Sequence, residues 1–166
     1  MRVLGIDCGG EFTGYAVVEQ DDNARMSAIA YGAVRLKTRD PLESRLLQVW
    51  NELRAQIEAH RPDMVAIEDV FYGPNAKSML KLGEVRGVAM LAAASCGLTV
   101  APYAPLAVKA AVVGYGKAEK SQVQYMVTRL LNLPEIPQPP DAADALAIAI
   151  CHLNTWATMK RQAAGK

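Results

Sequence analysis

The stretch GIDCGGEFTGYAVVE, residues 5–19, decides the fold of this 166-residue chain. An apolar run over residues 2–7 predicts a buried strand that ends on a carboxylate, Asp7, with two glycines after it. Residues 13–20 and 27–37 predict two more strands, joined by the polar turn QDDNAR at 20–25. Three consecutive strands at hairpin spacing predict an antiparallel meander. The carboxylate of Asp7 thus stands where a buried strand ends. This position indicates either a functional site or a simple Asp-Gly turn.

Beyond the meander, helices and strands alternate along the chain. The predicted elements are a helix over 42–57, a strand over 64–68, a helix over 77–94, a strand over 98–103, and helices over 105–112, 119–131 and 141–157. This order predicts an α/β fold with a mixed five-stranded sheet and helices on both faces. The chain shows no repeat or linker, which predicts one domain over 1–157 and a flexible tail over 158–166.

Composition sets the class of protein and leaves its partners open. Hydrophobic residues make up 51% of the chain, which excludes a disordered protein, and we expect neither a membrane span nor a signal peptide. Three cysteines without metal-binding spacing, Cys8, Cys96 and Cys151, predict free thiols in a reducing compartment, so we expect a cytoplasmic protein. The net charge of +1 predicts no partner by itself. If four carboxylates hold cations, however, 18 bases face 13 acids, and a nucleic-acid partner stays open.

Four carboxylates stand at positions that predict one shared site. Asp7 and Glu68 each end a predicted strand, and ligands of open α/β sheets bind beyond the carboxyl ends of strands. In DAADALAIAI, residues 141–150, Asp141 and Asp144 share one face of an otherwise apolar, buried helix. Each acid alone has a simpler explanation: a turn for Asp7, a buried salt bridge for Glu68, and helix capping for Asp141 and Asp144.

A single cause explains all four acids better than four separate ones. Converging carboxylates repel each other and lose hydration unless cations lie between them. Oxygen-only ligands favour Mg²⁺ or Mn²⁺, and two such ions can activate water and stabilise the leaving oxygen of a phosphodiester. We therefore expect a metal-dependent phosphodiesterase site, with the glycines after Asp7 allowing a phosphate backbone to approach.

Five segments carry a resemblance to a known family: GIDCGGEFTGYAVV, AIEDVF, NAKSMLKLGEVRGVA, AEKSQVQ and DAADALAIAI. In this order and spacing they resemble the RuvC Holliday junction resolvases over nearly the whole chain. The resemblance implies a ribonuclease-H-like fold, a homodimer, and magnesium-dependent paired nicking of four-way DNA junctions. It implies two Mg²⁺ per active site, which Mn²⁺ could replace, and suggests a branch-migration helicase complex as a partner, with no membrane. The family's four acidic metal ligands fall on Asp7, Glu68, Asp141 and Asp144.

The resemblance also assigns contacts to DNA. It places Lys120 and Lys109 near the scissile phosphate, with Lys120 as a catalytic residue, and it places a base-stacking aromatic side chain at Phe71. Weaker DNA-binding candidates are Tyr72, Asn75, Lys77, Ser78, Lys81, Arg86 and Lys117. The alternatives are a core anchor for Phe71, a helix cap for Asn75 and Ser78, and solvated basic surface for the lysines and Arg86.

The chain departs from the family pattern at four positions. Cys8 stands where the family usually has proline, Glu84 where glutamine is usual, and Glu11 where a basic or polar residue is frequent. Asp69 adds a second acid beside Glu68. The three acids predict weaker DNA affinity or crowded metals, whereas Cys8 is either redox-sensitive or a small packed hydrophobe.

Three rival functions remain at this point. The carboxylates also fit a nuclease that acts on RNA precursors or flaps. The pattern Gly-Ile-Asp-x-Gly-x-x-x-Thr-Gly is similar to the phosphate loop of sugar kinases and actin-like ATPases, but those proteins need a second lobe that this length does not accommodate. A junction-binding protein of weak or no activity is the third rival.

Overall fold

The computed structural model describes residues 1–69 and 75–164, which form five strands and five helices. The strands are β1 (Arg2–Cys8), β2 (Phe12–Gln20), β3 (Met26–Arg35), β4 (Met64–Glu68) and β5 (Val100–Tyr103). The helices are α1 (Leu42–His60), α2 (Ala76–Ser95), α3 (Pro105–Val113), α4 (Lys120–Leu130) and α5 (Pro140–Ala164). None of these described helices is long and apolar enough to cross a bilayer.

The strands form one mixed sheet in the order β3-β2-β1-β4-β5. The first three strands pair antiparallel, as the hairpin spacing predicts, whereas β4 and β5 run parallel to β1. The carboxyl ends of β1, β4 and β5 therefore meet at one edge. The predicted five-stranded mixed sheet is confirmed.

Helices cover both faces of the sheet, as predicted. On one face, Val3 and Ala16 pack with α3, α4 and the apolar length of α5. On the other face, Leu4, Ile6 and Val17 pack with α1 and α2. The alternation along β1 separates these two sets, because successive side chains of a strand point to opposite faces.

Several boundaries differ from the prediction for local reasons. β3 ends at Arg35 rather than at 37, because the Leu36 N–H donates to the Glu11 carbonyl oxygen at 2.7 Å instead of continuing the ladder. β5 begins at Val100 rather than at 98. Gly97 has a φ of +75° and lets the Leu98 N–H donate to the Ala93 carbonyl, so Leu98 belongs to the cap of α2.

The last helix is longer than predicted at both ends. It begins at Pro140 rather than Asp141, since the fixed φ of proline suits a first helical position. It continues to Ala164 rather than ending near Ala157, through residues that are good helix formers. Thr158 and Arg161 also donate side-chain hydrogen bonds to carbonyls one turn back. The division into one domain and a flexible tail stays a prediction.

Two glycines set the distance between α5 and the sheet. A Cβ on Gly5 of β1 would overlap the carbonyl oxygen of Ala145, and a Cβ on Gly14 of β2 would overlap that of Asp141. The helix backbone thus rests directly on the strands at these points. This contact places the first turns of α5 at the end of the sheet where the carboxyl ends of β1, β4 and β5 meet, which we call the strand-end edge.

Candidate metal centre and active site

The four predicted carboxylates lie at the same edge of the sheet. Asp7 stands near the end of β1, and Glu68 is the last residue of β4, the parallel neighbour that pairs Ile67 with Ile6. Gly14 pairs with Asp7 across the β1–β2 ladder and supports the backbone of Asp141. Asp144 follows about one turn later, so both acids of α5 are delivered beside Asp7.

Three of these acids line one cleft, and Asp141, which is not part of its lining, acts on Asp7 through its charge. A cavity of about 240 Å³ is lined by Asp7, Glu68 and Asp144 together with Lys109 and Lys120. Burial, followed by the charges of Asp144, Glu68 and Asp141, raises the pKa of Asp7 to about 7. Burial and the charge of Asp144 likewise raise the pKa of Glu68. The predicted repulsion between converging carboxylates is therefore present in the fold.

Two lysines offset part of this negative charge. Lys120 Nζ lies 2.6 Å from Asp144 Oδ2. Burial lowers the pKa of Lys120, but its hydrogen bond to Asp144 and the nearby acids outweigh that effect and raise it overall. Lys109 lines the same cavity and opposes the rise in the pKa of both Glu68 and Asp144. The first residue of α4 thus points its amino group into the site.

The donor set fits a hard divalent cation. All four acids offer oxygen ligands, which Mg²⁺ and Mn²⁺ prefer, and their buried charge lacks full compensation by Lys120. Within residues 1–69 and 75–164, no three acidic, histidine or cysteine side chains lie close enough together to form a finished cation cage. The carboxylates are therefore spread wider than they would be around an ion.

Helix capping does not explain the acids of α5. Because the helix begins at Pro140, Asp141 lies within its first turn rather than at the cap position. Asp144 lies deeper in the helix and bonds Lys120 instead. The explanation of Asp141 and Asp144 as capping residues is thereby weakened.

Comparison with known proteins shows the family. A family profile described as crossover junction endodeoxyribonuclease RuvC matches residues 3–152.

The chain belongs to the RuvC family.

Its relatives match over nearly their whole length. A curated crossover junction endodeoxyribonuclease RuvC of Koribacter versatilis is 68% identical over 161 residues, which cover 97% of each chain. The structure of Thermus thermophilus RuvC matches with a TM-score of 0.85 at 33% identity, covering 96% of this chain and 97% of that one. T. thermophilus RuvC in complex with a Holliday junction substrate matches with a TM-score of 0.86 at 30% identity, covering 96% of each chain.

Family membership decides several expectations from the sequence. The fold is the ribonuclease-H-like α/β fold, as predicted. The chain is a nuclease of a family that depends on divalent metal, which excludes the ATPase reading. The assignment of individual residues to metal or DNA stays a prediction, supported by the geometry described above.

Arg86 has an intramolecular role in this RuvC-family chain. Its predicted contact with DNA stays a prediction, and in the fold its Nη2 lies 3.0 Å from Asp69 Oδ1. Its Nε also donates to the Glu68 backbone carbonyl at 3.3 Å. Arg86 thereby ties α2 to the end of β4 and fixes the backbone that carries Glu68. Sequence reasoning missed this positioning role, although the acid after Glu68 was a signal for a basic partner.

The other DNA-binding candidates fall into three groups. Asn75 caps α2, since its Oδ1 accepts from the Ser78 N–H at 3.2 Å, as the capping alternative predicted. The remaining side chains on and before the helices are exposed and stay predictions, namely Lys77, Ser78, Lys81 and Lys117. Phe71 and Tyr72 lie outside the described residues.

The residues at which the chain departs from the family pattern lie in different structural environments. Cys8 is half-buried and packs against the core beside α1 and α2, and burial raises the pKa of its thiol to about 12. This favours the packing explanation over redox sensitivity, because the reactive thiolate is disfavoured. Glu11 is exposed and lines a different cleft. Glu84 Oε2 is buried without a hydrogen-bond partner among the described residues.

The two glycines after Asp7 differ from each other. A Cβ on Gly9 would overlap the Phe12 carbonyl oxygen, so the tight turn into β2 explains this glycine. Gly10 faces open space, with no described atom within 4 Å of a Cβ built there. The predicted close approach of a phosphate backbone therefore remains a prediction for Gly10.

Proposed function

We propose that this chain resolves four-way DNA junctions by paired, symmetric nicks in which water hydrolyses a phosphodiester. The observation that carries the proposal is the cavity where Asp7, Glu68 and Asp144 face Lys109 and Lys120 at the strand-end edge. The function in the family description and the four-way substrate bound by the T. thermophilus relative agree with it.

The acids and the lysines of the site would have different roles in the reaction. Asp7, half-buried among the other acids, would hold two Mg²⁺ ions together with Glu68, Asp141 and Asp144. Such ions supply an activated water and stabilise the leaving oxygen, and Mn²⁺ could take their place. Lys120 would exchange its bond to Asp144 for the scissile phosphate, where its charge stabilises the transition state. Lys109 would add a second positive charge on the same side.

A homodimer would supply the two active sites that symmetric nicking needs. α2 presents a stripe of exposed small and apolar residues at helical spacing, consisting of Leu80, Gly83, Gly87, Leu91 and Ala94. Leu80 and Leu91 are 66% and 59% exposed, and the two glycines between them would let a second helix approach closely. We place the two-fold contact on this stripe, which we call the α2 stripe.

Two further expectations belong to the same proposal. A branch-migration helicase complex would deliver the junction. The protein would work in the cytoplasm, which agrees with three free cysteines and no disulfide among the described residues.

A cleavage assay tests the proposal. The protein would be mixed with an end-labelled mobile four-way DNA junction, with linear duplex and with structured RNA, each in Mg²⁺ and in EDTA. We expect symmetric nicks in the junction alone, lost in EDTA and lost in the variant Asp7→Asn. The variant Asp22→Asn, which neutralises an exposed acid of the β2–β3 turn, is the matched control and should cut normally.

The other outcomes are equally decisive. Cutting of RNA instead of the junction would assign the site to the rival nuclease. Tight junction binding without cutting would mean that the chain is a catalytically weak binding protein. Equal loss of binding and cutting in Asp7→Asn would contradict the metal-ligand role of Asp7.

A further inference from the structure

A second basic cleft lies beside β3, outside the carboxylate cavity. It has a volume of about 520 Å³, and its charged lining consists of Arg35, Lys37, Arg39 and Glu11. Three bases therefore face one acid, and all four side chains are exposed. We call this surface the β3 cleft.

The backbone of the β3 cleft is held in place by the core. Leu36, between the first two bases, is 2% exposed and packs with Val34 against α1. Its N–H donates to the Glu11 carbonyl, and Gln48 Nε2 donates to the Arg35 carbonyl at 3.3 Å. The alternation of buried Leu36 with exposed bases therefore presents the positive charges on a fixed edge.

The basic side chains have little competition from acids of the same chain. Arg39 Nε lies 4.0 Å from Asp40 Oδ1, and the Arg39 side chain is 82% exposed. A pair this long and this exposed contributes little stability. The cleft can therefore offer its charges to an external anion.

Arg35 of the β3 cleft lies on the same face and toward the same end of the sheet as Asp7. Asp7 pairs with Gly14, Gly14 pairs with Ala33, and Arg35 lies two residues beyond Ala33 toward the same edge. Side-chain alternation puts Arg35 on the face that α5 covers, which is also the face of Asp7. Strand spacing and rise place the two Cα atoms about 12 Å apart. This is the rise of about three to four base pairs of duplex.

We propose that the β3 cleft binds the phosphate backbone of one arm of the junction, about three to four base pairs from the scissile phosphate. Arg35 and Lys37 carry the contact, and Arg39 extends it outward. This inference rests on the proposed function, because the ligand is an arm of the same DNA substrate. The contact is to phosphates and so orients the arm without reading its sequence.

Salt dependence of binding tests the proposal. Junction affinity in EDTA would be measured over a range of salt for the wild-type protein and for the double variant Arg35→Ala/Lys37→Ala. Loss of two phosphate contacts should lower the slope of log affinity against log salt by about 2 and weaken binding by roughly 60-fold at ~0.1 M salt. The matched control is Arg25→Ala/Lys160→Ala, which removes one exposed arginine and one exposed lysine elsewhere on the surface. It should leave the slope unchanged.

A modified junction locates the contact. Neutral methylphosphonate linkages would replace the phosphates three to four base pairs from the cut. They should weaken the wild-type protein about as much as the double variant and should not weaken the double variant further. Charge-preserving Arg35→Lys/Lys37→Arg should restore the wild-type slope.

Two results would overturn the inference. One is an equal slope for the wild-type protein and the double variant, and the other is an equal drop in the control. Lys37→Ala alone, a change at an exposed position, gives the same test with an expected slope change of about 1 should the double variant fold poorly. Junction nicking by the wild-type protein in Mg²⁺ is scored separately. Normal nicking with an unchanged slope therefore rejects the β3 cleft and leaves the proposed function intact.

Discussion

The charged form of Asp7 destabilises the folded state of the metal-free protein. Burial and three neighbouring acids raise its pKa from 3.8 to about 7. The core and the glycine contacts hold this carboxylate in place although its charged form is poorly solvated. A binding site prepared for a cation has this property, because the ion removes the repulsion when it binds.

Neutralising Asp7 should therefore stabilise the metal-free protein in a pH-dependent way. Because its pKa is raised on folding, the folded state binds the Asp7 proton more tightly than the unfolded chain between the two pKa values. The free energy of unfolding then falls as pH rises through this window, by at most about 4 kcal/mol. In EDTA at pH 8, Asp7→Asn should melt on the order of 5–10 °C above the wild-type protein. The two melting temperatures should converge below pH 4.

Mg²⁺ provides the companion measurement. At pH 8 the ion should raise the melting temperature of the wild-type protein and should have little effect on Asp7→Asn. Asp22→Asn should behave like the wild-type protein throughout. A variant that melts no higher than the wild-type protein in EDTA would contradict the strained state of Asp7.

At the level of secondary-structure elements, the contact between α5 and the sheet positions the acids of the site. Gly14 lies under the Asp141 carbonyl and pairs with Asp7, so one backbone contact sets the place of both acids. Arg86 does the same for Glu68 from the other face, through α2. The carboxylates are thus positioned by elements from both layers.

Gly14→Ala should separate α5 from the sheet. Its Cβ would overlap the backbone of Asp141, which cannot rotate away as a side chain could. Overpacking of this kind costs about 1–3 kcal/mol, or roughly 2–12 °C in melting temperature at this chain length. Nicking should fall further than the stability loss explains, because Asp141 and Asp144 move away from Asp7.

Gly10→Ala is the matched control for that substitution. Gly10 lies in the turn between β1 and β2, four residues before Gly14, and faces open space. It should retain the wild-type melting temperature within about 1 °C, as surface substitutions usually do. Equal melting curves for Gly14→Ala and the wild-type protein would show that α5 is not held by this contact.

The sequence was informative where local chemistry decided the structure. Apolar runs, turn signals and hairpin spacing predicted all five strands, and the acids at the ends of β1 and β4 predicted the edge where the cavity lies. The full length of α5 could not be predicted, because residues 158–164, TMKRQAA, show no periodic apolar face. The role of Arg86 was also hidden, because its partners Glu68 and Asp69 are 17 or more positions away and meet it only through packing. The basic residues Arg35 and Lys37 on either side of the apolar Leu36 could have indicated the β3 cleft from the sequence.

For the whole molecule, the proposed homodimer would bring two active sites to one junction. The α2 stripe exposes apolar side chains that a single copy leaves in water. Leu91→Glu places a charge in the centre of the proposed two-fold contact and should shift the protein to monomers. Sedimentation would measure this change, and a supercoiled junction substrate should then receive single nicks instead of paired ones.

Met159→Glu is the control for this substitution. Met159 is 60% exposed on the last helix, close to the 59% of Leu91, and lies outside the α2 stripe. It should leave the oligomeric state and paired cutting unchanged. Dimers that persist in Leu91→Glu would move the two-fold contact to another surface.

The seating of α5 on two glycines also affects how the chain can change over evolutionary time. Contacts between main-chain atoms at Gly5 and Gly14 fix the height of the helix above the strands. The apolar side chains packed around these points tolerate volume-conserving exchanges, as protein cores usually do. Substitutions among them can therefore accumulate without displacing the carboxylates, so sequences can diverge in the interior while the chemistry is inherited intact. The constraint on such drift falls on two residues that have no side chain.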